Sequence, residues 1–157
     1  MLTGTAADDE GRSAGTWTGG GGVLRLGEEV VPGLTLGLAF GGGSGAGSSD
    51  RFDLGVGGFV VQVGWRPFEA YPELQVLAAT GLGGGSLTPK GDDGVEGAAA
   101  GALHQVGLTY EIDLGDPHGV ALGPALQWSV VPPSEGAEAW ISAITLGLEV
   151  VWYAGRG

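Results

Sequence analysis

The chain has 157 residues, enough for one domain, and its 35 glycines accompany a charged fraction of only 15%, whereas soluble domains average about 25%. Its net charge of −12 argues against nucleic-acid binding, which needs clustered Lys and Arg. The absence of cysteine excludes disulfides and thiolate sites, and no stretch approaches the about 18 apolar residues of a membrane-spanning helix.

Apolar side chains alternate with small or polar ones along most of the chain, which is the pattern of a β-strand with two unlike faces. This alternation predicts a short first strand at residues 1–7 and seven full strands at residues 14–27, 34–43, 51–66, 73–87, 98–114, 119–131 and 139–153. Short turns alternate with more polar, mostly longer loops; the turns are residues 28–33, 67–72 and 115–118, and the loops are residues 44–50, 88–97 and 132–138.

Bacterial single-chain barrels alternate turns and loops in this way and have an even number of strands. We therefore predict an all-β fold, an antiparallel up-and-down transmembrane β-barrel of about eight strands. Residues 1–13 would form a short or truncated first strand and an outer loop, and residues 14–157 the barrel domain. The alternative is a disordered tail at residues 1–13 with incomplete closure. Because this segment lacks the basic and apolar parts of a secretory signal, we expect the N-terminus to be incomplete or mature.

One predicted strand, residues 51–66, changes phase in its middle. Phe52 and Leu54 belong to one alternating series and Phe59 to another, with Gly57 and Gly58 between them. A glycine pair is a common site for an extra residue in a strand, so the pattern predicts a β-bulge there. In the remaining strands we expect the apolar face to point outward into lipid.

The last predicted strand has the length of a membrane span. From Trp140 to Trp152 the chain rises about 3.3 Å per residue, which at a tilt of about 40° covers about 30 Å, the thickness of a bilayer's apolar core. Aromatic rings favour the headgroup level, and we predict two girdles of them. They are made of Trp17, Phe40, Phe52, Trp128 and Trp140 near the outer ends of strands and Trp65, Phe68, Tyr71, Trp152 and Tyr153 near the periplasmic ends. The alternative is a soluble barrel or sandwich with its apolar face inside, but the opposite face is poor in the Lys that soluble sheets use against edge pairing.

The last strand also resembles the C-terminal assembly signal of outer-membrane β-barrel proteins. That signal is a polar residue, a glycine, a hydrophobic residue and an aromatic residue at fixed spacing, here Thr145, Gly147, Val150 and Trp152. Strand length and loop alternation resemble those of the small OmpA/OmpX-type barrel superfamily, although such chains usually end at the final aromatic residue and residues 153–157 follow it here. The resemblance implies insertion by the outer-membrane assembly machinery and no particular activity.

The polar residues on the predicted inward face gather toward the periplasmic half. They are Arg25, Gln62, Arg66, Glu73, Gln75, Glu111, Asp113, Gln127 and Glu149. Side chains fill the interior of an eight-stranded barrel, and a buried carboxylate needs a partner. We therefore predict a salt-bridged plug in which Arg25 and Arg66 pair with some of Glu73, Glu111 and Glu149. An ion or proton path along these residues is the alternative.

Toward the outer half the predicted inward positions are small, namely Gly37, Gly41, Gly55, Ala79, Gly81, Gly83, Gly123 and Ala125. We expect them to leave a shallow vestibule that opens outward and admits a small ligand. The alternative is that the glycines permit strong barrel curvature and the loops fold in over the gap.

No catalytic or metal site is predicted. A histidine base needs a nucleophile within hydrogen-bond reach, but His104 has no serine two residues away and belongs to the outward series, while His118 lies in a turn. The acidic outer loops, Asp92 and Asp93 among them, are expected to be solvated or to share divalent cations with lipopolysaccharide phosphates.

The sequence therefore favours a monomeric protein of the outer membrane of a Gram-negative bacterium, with a structural or surface-interaction role, no catalysis and no cofactor. Its expected partners are outer-membrane lipid, lipopolysaccharide and the assembly machinery. A soluble lipocalin-like barrel that binds an apolar ligand and a narrow pore are the alternatives.

Overall fold

The computed structural model describes residues 1–7, 13–47, 52–91, 96–114, 119–132 and 140–153, with the side chains of residues 2–7, 13 and 14 excepted. These residues form nine strands, which are β1 (Leu2–Ala7), β2 (Ser13–Val31), β3 (Leu34–Gly47), β4 (Phe52–Trp65), β5 (Leu74–Pro89), β6 (Gly97–Tyr110), β7 (Ile112–Asp113), β8 (Val120–Val131) and β9 (Ile141–Tyr153). β7 continues β6 after a break at Glu111, so the wall contains eight strands, as predicted. None of the residues so described forms a helix able to cross a membrane.

The strands form one closed barrel. From β2 to β6 each strand pairs antiparallel with the next along the chain, β6 and β7 both pair with β8, and β8 pairs with β9. At the seam, β1 pairs antiparallel with both β2 and β9, and farther along β2 and β9 pair with each other in parallel. The barrel therefore has eight strands at one end and seven at the other. We name the first the loop end, where residues 48–51 connect β3 to β4, and the second the turn end, where residues 32–33 connect β2 to β3.

The predicted bulge in β4 is wrong. Gly57 and Gly58 pair with Gly42 and Gly41 of β3 in a register that runs without a shift from Leu34 opposite Trp65 to Ala46 opposite Asp53. Pairing of β4 with β5 is equally regular. The strand keeps one phase. Phe52 and Leu54, near the loop end, point inward, whereas Phe59 and the alternating apolar residues after it, Val61, Val63 and Trp65, point outward.

The outer surface of the barrel is apolar. Large aliphatic and aromatic side chains on its strands are exposed by 36% to 75%, and they include Leu36, Leu38, Phe40, Phe59, Val61, Val63, Val76, Leu82, Val106, Leu108, Leu126, Ile144, Leu146, Leu148 and Val150. The side chains between them along each strand are buried or half-buried, as the two-residue period of a strand requires.

The lumen near the loop end is also apolar, which the sequence did not predict. Its buried side chains pack as one group, which we name the apolar cluster; it consists of Trp17, Ala39, Phe52, Leu54, Val60, Leu87, Ala99, Leu103, Val131, Ile141 and Ala143. Trp17 and Phe52, predicted in the outer girdle, are fully buried in this cluster. That assignment is wrong because their positions in β2 and β4 face the lumen.

Tyr153, predicted in the periplasmic girdle, is only 1% exposed, and that assignment is wrong because its position in β9 faces the lumen. The other predicted girdle residues lie on the exterior. Each has between 38% and 62% of its surface exposed, and they are Phe40, Trp65, Phe68, Tyr71, Trp128, Trp140 and Trp152.

Substitutions at leucines on opposite faces test this assignment. Leu54→Ala removes a side chain that is 1% exposed within the apolar cluster, so the free energy of unfolding should fall by about 2–5 kcal/mol. Leu82→Ala, at a side chain that is 72% exposed, should lower it by about 1 kcal/mol or less. Denaturant titration of the refolded protein measures both, and a larger loss for Leu82→Ala would place the faces the other way round.

Candidate functional site: a lumen ion network and the cavity above it

The turn end of the lumen holds a buried network of charged side chains. Arg25 is supplied by β2, Glu149 by β9, and Glu111 by the break between β6 and β7. All three lie at inward positions of their strands and are at most 5% exposed. At the break, the Glu111 backbone N–H donates to the Glu73 carbonyl oxygen at 2.8 Å, so the residue stays anchored to the β5 side of the wall.

Arg25 is the centre of the network. Its Nη1 donates to Glu149 Oε2 at 3.2 Å, and its Nη2 donates to Gln75 Oε1 at 2.6 Å and to Glu111 Oε1. The Tyr153 hydroxyl oxygen lies 3.2 Å from Nη2 and donates its proton to Glu111 Oε2. One guanidinium therefore joins β2 to β5, to β9 and to the break after β6.

Arg66 is the second arginine of the network. It follows β4, and its backbone N–H donates to the Gly33 carbonyl at 2.8 Å, which fixes it against the turn between β2 and β3. Its Nη2 donates to Glu111 Oε2 at 2.9 Å, and its Nη1 to Glu29 Oε2 at 3.2 Å. Its guanidinium also lies 5.8 Å from the Tyr153 ring centroid, within the range of a cation–π contact.

The network pairs two arginines with three carboxylates. Arg25 and Arg66 face the carboxylates of Glu29, Glu111 and Glu149, of which Glu29 is partly exposed. Moving charges from water into a protein interior is costly unless they pair and hydrogen-bond with one another. This arrangement fills the turn end of the lumen with side chains that are bonded to each other.

The structure brings together most of the predicted plug. Arg25, Arg66, Gln75, Glu111 and Glu149 meet as described above. The other predicted members lie apart from this group: Gln62 and Gln127 face the lumen farther up, and Asp113 is exposed. Of the three glutamates among which partners for the arginines were predicted, Glu111 and Glu149 form the ion pairs, and Glu73 contributes its backbone carbonyl.

Three members of the network were missed. Tyr153 and Glu29 are the partners described above, and Thr35 accepts a hydrogen bond from Gln75 Nε2 at 2.9 Å. The two-residue period places Tyr153 on the face of Glu149 and Glu29 on the face of Arg25, so the sequence contained a signal for both.

A cavity of about 120 Å³ lies above the network. Its floor includes Gln127, Thr145 and Glu149, and the apolar cluster contributes Val60 and Ile141 to its walls. Of the small residues predicted to face the lumen, Gly41 and Ala125 line this cavity. Gly55 instead lies on the outer face of the wall, between the exposed Ser44 and Ser86. The space predicted as an outward vestibule is thus a chamber in mid-barrel, with the apolar cluster between it and the loop end.

His104 faces outward, as its phase predicts, and its Nδ1 lies 3.1 Å from Thr80 Oγ1 on the exterior of the wall. Among the described residues no group of three or more His, Cys, Asp or Glu is placed to hold a metal ion. Asp92, Asp93 and His118 lie outside the residues that the structure describes. Of the predicted assembly signal, Thr145 and Gly147 face the lumen and Val150 and Trp152 the exterior.

Comparisons of this chain with protein-family models, with curated proteins and with solved structures found no match.

Loss of the central arginine should be the most damaging change in the network. Arg25→Met leaves the Glu111 and Glu149 carboxylates buried with fewer partners, and we expect it to lower the free energy of unfolding by about 3–5 kcal/mol. The control is Lys90→Met, which breaks a pair between the partly exposed side chains of Lys90 and Asp53, 2.9 Å apart, and should cost about 0–1 kcal/mol. Equal losses in denaturant unfolding of the two variants would contradict the role of Arg25.

Proposed function

We propose that this protein is an outer-membrane β-barrel of a Gram-negative bacterium, with a structural or surface-interaction role, a plugged lumen and no catalysis. The observation that carries the proposal is the distribution of side chains across the wall. Leu148 and Leu146, on the outside of β9, are 75% and 56% exposed, whereas Glu149, which follows Leu148 directly, is 2% exposed in the lumen. This is the reverse of the arrangement that a barrel in water needs.

Pairing of the backbone also supports a lipid environment. Inside a bilayer every backbone N–H and C=O group needs a partner within the protein, and a closed sheet is one of two folds that provide it. The regular registers of β3 with β4 and of β4 with β5 meet this need over 13 and 14 residue pairs. These strands are long enough to cross a bilayer, since a tilted transmembrane strand places about 9–11 residues in the apolar core.

The exterior suits the expected partners of such a barrel. Trp65 and Trp152 are exposed at the turn end, and Trp140 at the loop end, where tryptophan rings would contact lipid headgroups. The resemblance of Thr145, Gly147, Val150 and Trp152 to the assembly signal, and of the chain to the OmpA/OmpX-type superfamily, supports delivery by the outer-membrane assembly machinery as a monomer. Lipopolysaccharide would be the lipid at the loop end.

A soluble lipocalin-like barrel is the second candidate, and the cavity is the observation that favours it. Soluble barrels of this size hold one small ligand in an apolar lumen, and the apolar cluster and the cavity have that character. The network around Arg25 weighs against it, because it occupies the other half of the lumen with charge.

Insertion into lipid separates these two candidates. Refolded into vesicles of outer-membrane lipid, the protein should float with the vesicles through a density gradient and resist extraction by carbonate or urea. Its folded form should also migrate differently from the boiled form on a gel. A protein that stays monodisperse in detergent-free buffer and leaves the vesicles in the soluble fraction would refute the membrane proposal.

The plug makes a second prediction. Because Arg25, Glu111 and Glu149 fill the turn end of the lumen, the protein in planar bilayers should show no stable openings of nanosiemens size. Arg25→Ala combined with Glu149→Ala removes the central arginine of the plug and one of its carboxylate partners, and should raise the frequency of openings. Stable nanosiemens openings in the unmodified protein would favour the narrow pore instead.

A further inference from the structure

The mid-barrel cavity is bordered by a carboxylate whose hydrogen bonding is incomplete. Glu149 lines the cavity and is 2% exposed, and its Oε2 accepts from Arg25 at 3.2 Å. Its Oε1 is buried and accepts no hydrogen bond from the described residues. The hydroxyl of Thr109, which lies near this carboxylate, donates to the Pro124 carbonyl at 3.4 Å. Because a buried carboxylate oxygen without a donor is costly, a donor in the cavity would stabilise Oε1.

A second unpartnered acceptor faces the lumen on the same side of the cavity. Gln62 is 5% exposed, and its Oε1 is also buried without a hydrogen bond from the part of the chain that the structure describes. It follows Val60 on the inward face of β4, toward the turn end, and Val60 lines the cavity. The third such buried atom is a donor, Trp17 Nε1, and belongs to the apolar cluster. Both unpartnered atoms toward the turn end therefore need a donor.

The charge around Glu149 favours a cation as this donor. The ion network pairs two arginines with three carboxylates, so its formal charge is −1, and the whole chain carries −12. An ammonium group has three N–H donors and no acceptor, as in the lysine side chain. Hydrogen bonds from such a group to a carboxylate are stronger than those between neutral groups. One ammonium ion would therefore supply the missing donor and balance the network.

The rest of the cavity suits an apolar body. Val60, Leu103 and Ile141 of the apolar cluster line it. Glycines leave its middle free of side chains, and a Cβ on Gly147 would meet no atom within 4 Å. Its volume is about 120 Å³, and an apolar protein cavity of about 150 Å³ holds one benzene molecule. An alkyl group of about five carbon atoms is of matching size.

We propose that the mid-barrel cavity is a binding site for a compact primary alkylammonium ion. The ammonium group donates to Glu149 Oε1, and the alkyl group lies against Leu103 and Ile141. Divalent metal ions fit this site less well, because Mg²⁺ and Ca²⁺ take about six to eight oxygen ligands and most of the cavity wall is apolar. The apolar cluster and the ion network close the lumen on either side of the cavity, so the ligand enters through local opening of the fold.

Isoleucine methyl groups can report binding at this site. The chain has three isoleucines; Ile141 lines the cavity, whereas Ile112 and Ile144 are exposed on the exterior. Protein labelled only at isoleucine δ1-methyl groups and refolded in detergent micelles therefore gives one NMR signal from the cavity and two from the outer surface. The probe is 3-methylbutylamine, which like the lysine side chain is protonated at neutral pH. Its uncharged counterpart is 3-methylbutan-1-ol.

We expect 3-methylbutylamine at millimolar concentration to shift the Ile141 signal in a saturable manner. The Ile112 and Ile144 signals should change only in proportion to the amine that enters the micelle. Because the alcohol lacks the charge, it should bind about tenfold more weakly or less. Glu149→Gln should weaken amine binding by a similar factor, because it removes the carboxylate that the ammonium group contacts.

Two glycine substitutions are matched controls. Gly147→Leu places a side chain in the cavity and should abolish the saturable shift. Gly55→Leu adds the same side chain on the outer face of the wall, where a Cβ would also meet no atom within 4 Å, and should leave binding unchanged.

Three results would overturn the proposal: an Ile141 signal that does not saturate with the amine, equal binding of amine and alcohol, or equal behaviour of the two glycine variants. The comparison of amine with alcohol uses the unmodified protein, so it does not depend on the folding of any variant. Because the measurement is made in detergent, its outcome is separate from that of the membrane proposal.

Discussion

Regular pairing between neighbouring strands is the constraint on which the rest of this structure depends. A one-residue slip would move every following side chain to the other face of the wall, and β4 shows none at Gly57 and Gly58. The unbroken phase is what brings Arg25, Glu111 and Glu149 to the lumen from three distant parts of the chain. It also turns the leucines beside them outward, so a polar interior and an apolar exterior have one common cause.

The two halves of the lumen are filled in different ways. At the turn end, buried charges of opposite sign stabilise each other. At the loop end, Trp17, Phe52 and their neighbours exclude water by packing. Between them the wall contains glycines of two kinds. A Cβ on Gly41 would lie 2.4 Å from the Gly22 carbonyl oxygen and would clash with the neighbouring strand. A Cβ on Gly147 would meet no atom within 4 Å. The first glycine permits close strand approach, and the second leaves the cavity open.

The sequence could predict the strands, their faces in most of the wall and the core of the ion network. These features depend on the alternation of side chains between the two faces of a strand, which is a local property. The interior placement of Trp17 and Phe52 could not be predicted, since alternation identifies two faces without saying which is inside where both are apolar. The bulge in β4 was wrong for the same reason. Parallel pairing of Leu24 with Val150 depends on closure over the whole ring, which no local pattern encodes.

If the protein spans a bilayer as proposed, the exterior of its wall contacts lipid and its lumen does not, and tryptophan quenching tests this most directly. The chain has five tryptophans; Trp128 is 48% exposed on the exterior, where its Nε1 donates to Ser142 Oγ at 2.9 Å, and Trp17 is fully buried in the lumen. Two variants that keep only one of these, with the others changed to Phe, would be refolded into vesicles whose lipids carry brominated acyl chains. The account predicts strong quenching of Trp128 and little quenching of Trp17; quenching of Trp17 with Trp128 unaffected would contradict it.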